Sequence, residues 1–285
     1  MPPRAKKQSP RTRRKPTAKK KSGFAARVST LGEQDLGSGL KINLYGQSGT
    51  GKTTLWATFP KPIIVFVCSG GNQSGELKSL DTPEYHDDIH VVNIDSTDLL
   101  YEGIEYARQE NFETAVVDHM SGLLDLCLIE RLGLDQAPVQ LQWGTATREQ
   151  WGEIGIKLKE IGRAALALPN NVVLVAQQRE FNTEDEGDLL MPYVASALTP
   201  SMVGWLNPAV DYICQTFKRE VMEVKKVKVG KTVTEQLKPT GEVEYCLRTG
   251  PHSVYTTKFR APKGHEVPDC IVDPDYDKIM EIIQG

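Results

Sequence analysis

The stretch LYGQSGTGKTTL, residues 44–55, leaves a folded chain few choices. Gly46, four further residues and then Gly51-Lys52-Thr53 make the Walker A pattern G-x-x-x-x-G-K-[ST]. That pattern works only between a strand and a helix, where consecutive backbone N–H groups can close around phosphate oxygens. An apolar segment, LKINLY (40–45), precedes it as required. Gly46, Gly49 and Gly51 allow the backbone to curl, and Gln47, Ser48, Thr50 and Thr54 complete the expected cradle. Lys52 supplies a mobile charge for the β- and γ-phosphates, and the Thr53 hydroxyl is a ligand for Mg²⁺, so Mg²⁺-ATP is the expected cofactor. Four specified positions meet by accident on the order of once in a hundred chains of this length, and the strand before the loop lowers that further.

Short apolar runs alternating with helical stretches continue from the loop, the signature of an α/β domain with a largely parallel central sheet. The expected strands are 40–45, 62–68 (PIIVFVC), 89–94 (IHVVNI), 114–118 (TAVVD) and 171–177 (NVVLVAQ). The clearest helix starts at Thr147, which forms a capping box with Gln150, and runs through Trp151, Ile154, Leu158, Ile161, Ala165 and Leu168 at three- and four-residue steps. From about residue 209 the texture changes to VDYICQTF, EVMEVKKVKV, EVEYCLRT and SVYTTKF. These are expected to be C-terminal antiparallel strands that extend the sheet, with DPDYDKIMEIIQ as a closing helix.

A P-loop needs a second acid to hold its metal, and an apolar strand ending in Asp is where an α/β sheet supplies one. TAVVDHM fits, with Asp118 as the metal-binding acid and His119 as its neighbour.

Charge divides the chain. Residues 1–27 hold eleven Lys or Arg and no acid, which leaves 23 basic and 37 acidic residues beyond them, a net charge of −14. The segment MPPRAKKQSPRTRRKPTAKKKSG has no apolar periodicity and too little apolar surface to offset the entropy of ordering, so 1–27 is expected to be a disordered basic arm and 28–285 the folded domain. Such an arm suits a polyanion, a nuclear address or plain solubility. Five cysteines without a C-x-x-C pair point to reduced thiols rather than a disulfide framework or a zinc ribbon. No apolar run approaches the roughly 18–20 residues that cross a bilayer, and the first residues lack a secretory h-region, so a cytoplasmic protein without a membrane partner is expected.

Taken together, GQSGTGKT, AVVDHMSGL, QWGEIGIKLKEIGRAALALPNNVVLVAQQRE, LRTGPHSVYTTKFR and VPDCIVDPDYDKI resemble the phage-encoded RecA-like P-loop ATPases, including the single-strand-annealing type, over about residues 40–285. The resemblance implies a RecA-like core, Mg²⁺-ATP binding and hydrolysis, a homo-oligomer, single-stranded DNA as partner, and work in DNA recombination, annealing or replication in the host cytoplasm. It also makes Gln177 or Gln178 the polar residue that closes the next core strand and senses the γ-phosphate, a role an amide can fill as donor and acceptor together. Two departures stand out. Where the family carries the acid that polarises water, this chain has Cys68-Ser69, with Glu76 several residues on. The loop REFNTEDEGDLLMPY after Gln178 is acidic where a DNA-facing loop should be basic: either this loop does not touch DNA, or the basic arm and the KKVKVGK hairpin take over that work. Phe24-Ala25-Ala26 faintly resembles the Phe-x-x-Ala segment by which eukaryotic RecA-like recombinases dock on a neighbouring subunit, with Arg27 in place of the expected Ala.

The competing class is a nucleotide-dependent binding or scaffold protein with weak hydrolysis, which the missing acid favours. A small-molecule kinase would need an Arg-rich lid, and a partition-type ATPase an extra lysine where Gln47 and Ser48 stand; neither is present.

Overall fold

The computed structural model describes residues 30, 39–68, 77–135, 146–181, 192–229 and 232–284. The chain divides into Met1–Leu36 and Gly37–Gly285, and the sheet belongs to the second unit. The basic arm with Phe24-Ala25-Ala26, Ser69, Glu76 and most of the acidic loop after Gln178 lie outside the described residues.

The elements are β1 (Lys41–Gly46), α1 (Lys52–Trp56), β2 (Ile63–Val67), β3 (Ile89–Asn93), α2 (Thr97–Gln109), β4 (Thr114–Asp118), α3 (Met120–Leu132), α4 (Arg148–Leu166) and β5 (Asn171–Phe181). They continue with β6 (Tyr193–Ser196), α5 (Pro200–Ala209), β7 (Tyr212–Val229), β8 (Thr232–Arg248), β9 (Lys258–Phe259), β10 (Cys270–Val272) and α6 (Tyr276–Gln284). The sheet runs in the order β10-β8-β7-β1-β5-β4-β2-β3, with β6 added to β5 and β9 to β7. From β7 through β3 neighbouring strands are parallel; β10, β8 and β9 are antiparallel additions. The expected class, a mostly parallel α/β sheet with antiparallel C-terminal strands, is what forms.

The core strands are buried nearly without a break, as in β2 and β4, because helices cover both faces. The strand period of two splits their side chains between two apolar clusters. Ile64 and Phe66 pack with α2, α3 and α4 through Leu100, Leu123 and Leu158. Ile63, Val65 and Val67 pack on the opposite face with Leu55, Trp56 and Phe59 and with Ile279 of α6. The capping box opening α4 is complete: Gln150 N–H donates to Thr147 Oγ1 at 3.2 Å and Thr147 N–H donates to Gln150 Oε1 at 2.7 Å.

Several boundaries differ from expectation. VDYICQTF and EVMEVKKVKV are one strand, β7, whose first residues run parallel to β1 (Ile42 opposite Tyr212, Gly46 opposite Thr216) before it leaves the core paired with β8. Those first residues are therefore core, not an antiparallel extension. SVYTTKF contributes Lys258–Phe259 as β9 and an isolated bridge from Tyr255 to Val194 of β6. β5 passes its expected end and reaches Phe181 because β6 pairs with its exposed half. Helix α5 was not expected; Thr199 caps it, Pro200 sits in its first turn, and a second proline, Pro208, lies within it and masks the pattern. All five cysteines are free, four of them buried. Among the described residues no helix is long and apolar enough to cross a membrane.

Candidate nucleotide-binding site

Three glycines shape the loop in two ways. Gly49 and Gly51 have φ of 72° and 89°, a region where a Cβ is strained. Gly46 has ordinary backbone angles but lies against β7: a Cβ there would stand 2.2 Å from Thr216 Oγ1 and 2.5 Å from Thr216 O. Gly46→Ala should therefore force β1 and β7 apart and lower stability by about 1–3 kcal/mol, read as an earlier denaturant midpoint with an unchanged slope. Thr50 ties the same two strands from the loop side; its hydroxyl donates to Gln47 O at 2.7 Å and shares a 2.7 Å hydrogen bond with Thr216 Oγ1. Lys52 is 8% exposed and its Nζ donates to Gly46 O at 2.9 Å and Gln47 O at 2.8 Å, so the loop's own carbonyls hold the ammonium over its mouth. The helix behind the loop is short, only Lys52–Trp56. A helix of this length adds little macrodipole, and the loop amides carry most of the anion-attracting character.

The sheet order brings the other expected residues to this loop. β5 lies between β1 and β4, with Gly46 level with Gln177, and β4 ends at Asp118. A cavity of about 780 Å³ opens over these strand ends, lined by Ser48 to Leu55, Asp118, His119 and Gln177. Gly46 and Gln47 support it through their carbonyls. Gln178 does not line it: adjacent strand residues point to opposite faces, and its Oε1 accepts from Gln215 Nε2 at 2.8 Å, while Gln215 Oε1 accepts from Arg248 Nε at 3.0 Å. Of the two glutamines, the structure puts Gln177 at the cavity.

Asp118 is 5% exposed, and its Oδ2 accepts from Trp56 Nε1 at 3.0 Å, which fixes the carboxylate against the helix that follows the loop. The peptide between Asp118 and His119 is cis. His119 caps α3, its Nδ1 accepting from Gly122 N–H at 2.8 Å, which accounts for its place beside the acid. Further along α3, burial raises the Asp125 carboxyl above the ordinary carboxylate range, with the His119 ring pulling it back. Cys68, 1% exposed, directly follows β2, its N–H donating to Asp118 O at 2.7 Å. Among the described residues no glutamate lines the cavity; its carboxylates are Asp118 and Asp273.

The donor set suits a magnesium nucleotide. Among the described residues no three His, Cys, Asp or Glu gather as a metal cage. Mg²⁺ with a nucleotide needs none, since phosphates and water supply most of its ligands and the protein one or two oxygens. The Thr53 hydroxyl and the Asp118 carboxylate, both at the cavity, are the oxygens it offers to such an ion.

Sequence reasoning missed Tyr245, Asp273 and Pro274, which line the same cavity from β8 and from the turn before α6. They lie far along the chain from the loop and belong to no local motif. It also missed the Trp56 contact, for which a signal existed: a Trp on the buried face of the loop helix must find a partner for its N–H.

Residues 38–261 match the AAA domain family, a span that runs from just before β1 through β9 and includes the loop, Asp118 and Gln177. None of the curated proteins matches the chain. An AAA domain is a nucleotide-binding P-loop unit of the ATPase type, and the match covers most of this sequence on the sheet such a unit requires. The chain belongs to the AAA domain family.

Proposed function

We propose that the protein binds Mg²⁺-ATP and hydrolyses it in a RecA-like, homo-oligomeric ATPase that acts on single-stranded DNA in recombination, annealing or replication. Its sequence resemblance extends this to a phage-encoded protein of the single-strand-annealing type, working in the host cytoplasm. The observation that carries the nucleotide reading is the meeting of Lys52, Thr53, Asp118 and Gln177 at one cavity from three adjacent strand ends. Thr53 and Asp118 would hold the ion, which when bound neutralises charge on the phosphates. Lys52 binds and orients the phosphate chain, and Gln177 offers an amide that can donate to its terminal oxygens.

β5 supports a link between nucleotide and DNA. The same strand that ends its buried part at Gln177 continues through exposed Arg179 to Phe181, where the ring stacks on Tyr193 of β6 at 5.0 Å. A paired, aromatic-bearing extension of a cavity strand is a rigid connection from phosphate to surface, and aromatic rings with arginine suit unstacked bases. Cys68, standing where the water-polarising acid is wanted, favours the second reading of a binding or scaffold protein with weak turnover.

Turnover with and without single-stranded DNA separates the two: the ATPase reading expects stimulation by DNA, the scaffold reading a low rate that DNA leaves unchanged. The DNA itself should be held largely through residues 1–27, whose charge of +11 contrasts with a body of −14. Deleting residues 1–21 removes ten of those charges and keeps Phe24-Ala25-Ala26. That deletion should weaken single-stranded DNA binding and flatten its salt dependence while ATP affinity stays put. An unchanged salt slope would make the arm a solubilising or targeting tail.

A further inference from the structure

The cavity extends beyond what a triphosphate and its ion use. Asp118 and Gln177 reach it from β4 and β5, on one side of the loop strand β1. Tyr245 reaches it from β8, on the other side of β1, and Asp273 follows β10, the strand beyond. A phosphate chain whose terminal end lies toward Asp118 therefore sends its nucleoside toward Tyr245 and Asp273.

Both residues are presented rather than packed away. Tyr245 is 44% exposed, and its Cδ1 stands 3.4 Å from where a Gly51 Cβ would be, so the ring flanks the loop itself. Asp273 has φ of 46°, the left-handed region, which a non-glycine residue holds only where its surroundings insist. They do. Its N–H donates to Tyr245 O at 2.8 Å, and its carbonyl accepts from Lys278 Nζ at 2.6 Å, while Lys278 N–H is itself fixed on Asp275 Oδ1 at 2.8 Å. Pro274 stiffens the next position. The main chain of Asp273 is thus clamped to Tyr245, and its exposed carboxylate is engaged by no hydrogen bond or ion pair among the described residues.

We infer that Tyr245 and Asp273 form the nucleoside end of the site, the ring packing on the base and the carboxylate accepting from ribose hydroxyls, so that ribonucleoside triphosphates are preferred to their 2′-deoxy counterparts. A ring face is tolerant of base identity, whereas a carboxylate facing two hydroxyls loses a charge-assisted hydrogen bond when one is absent. The inference rests on the Mg²⁺-ATP reading and adds to it where selectivity resides.

Calorimetry on the full-length protein with Mg²⁺ tests it, using tripolyphosphate, ATP and dATP against the wild type, Tyr245→Ala and Asp273→Gly, the last chosen because glycine accepts φ of 46°. Tyr245→Ala should weaken ATP by about tenfold or more and leave tripolyphosphate unchanged. The wild type should prefer ATP to dATP by about tenfold, and Asp273→Gly should erase that preference. If both variants bind ATP like the wild type, or the wild type takes dATP equally well, the subsite is wrong while the phosphate site stands. Parallel loss of tripolyphosphate would make these residues supports of the loop and would also overturn the inference. A wild type that binds neither ATP nor tripolyphosphate removes the nucleotide reading itself.

Discussion

Lys52→Ala should abolish measurable ATP binding, a loss of about 3–5 kcal/mol, or two to three and a half orders of magnitude in affinity. The size follows from where the ammonium sits. It is nearly buried and already held over the loop by Gly46 O and Gln47 O, so engaging a phosphate costs little ordering of the side chain. Alanine keeps the helix and removes the charge, leaving the loop amides to face a polyanion alone. Calorimetry with Mg²⁺-ATP measures the loss, and thermal unfolding should show the variant folded. Wild-type affinity in that variant would remove the basis for reading residues 46–54 as a phosphate cradle.

The second large effect separates binding from rate. Asp118→Asn should leave ATP affinity within about tenfold and cut turnover by about two to three orders of magnitude, because a fixed negative charge for the ion matters most as charge redistributes on the phosphates. Asparagine is chosen for a structural reason: its Oδ1 can still accept from Trp56 Nε1, 3.0 Å from the carboxylate. Asp118→Ala should lose turnover too, with an added cost of about 1–3 kcal/mol in stability from the stranded indole N–H. Normal turnover by Asp118→Asn would reduce Asp118 to a strand end that anchors Trp56.

The parts of the site legible in the sequence are those whose chemistry is local. The loop declares itself because glycines at fixed offsets are needed for φ above zero and for the contact of Gly46 with β7. β4 was readable to the residue, since five buried positions end abruptly in Asp118. Thr147 and Gln150 were readable because a capping box is a four-residue event. Tyr245 and Asp273 were not, since what brings them to Gly51 is the pairing of β8 with β7 and of β10 with β8, contacts between segments distant along the chain. The same limit hid the unity of β7. Its inner third is apolar and its outer part charged, two textures that read as two strands until a partner, β1 for one and β8 for the other, is seen on each. Gln177 and Gln178 could not be told apart because a shift of one residue in a strand reverses the face, and the register against β1 decides which is which.

That unity of β7 has a mechanical result. Thr216, whose hydroxyl touches Thr50 in the phosphate loop, belongs to the same strand as Val229 at the far end of the β7–β8 pairing, with one register shift between them, at Glu220/Met222. At about 3.3 Å per residue the two are roughly 40 Å apart along the chain. Were the strand to turn as one body in the sheet, a rotation of about 5° at Thr216 would swing the far end by roughly 3–4 Å over that length, with the register shift at Glu220/Met222 as the joint where the strand can bend instead. To the extent that the joint holds, small adjustments at Thr50 would arrive at the tip as displacements the size of a side chain.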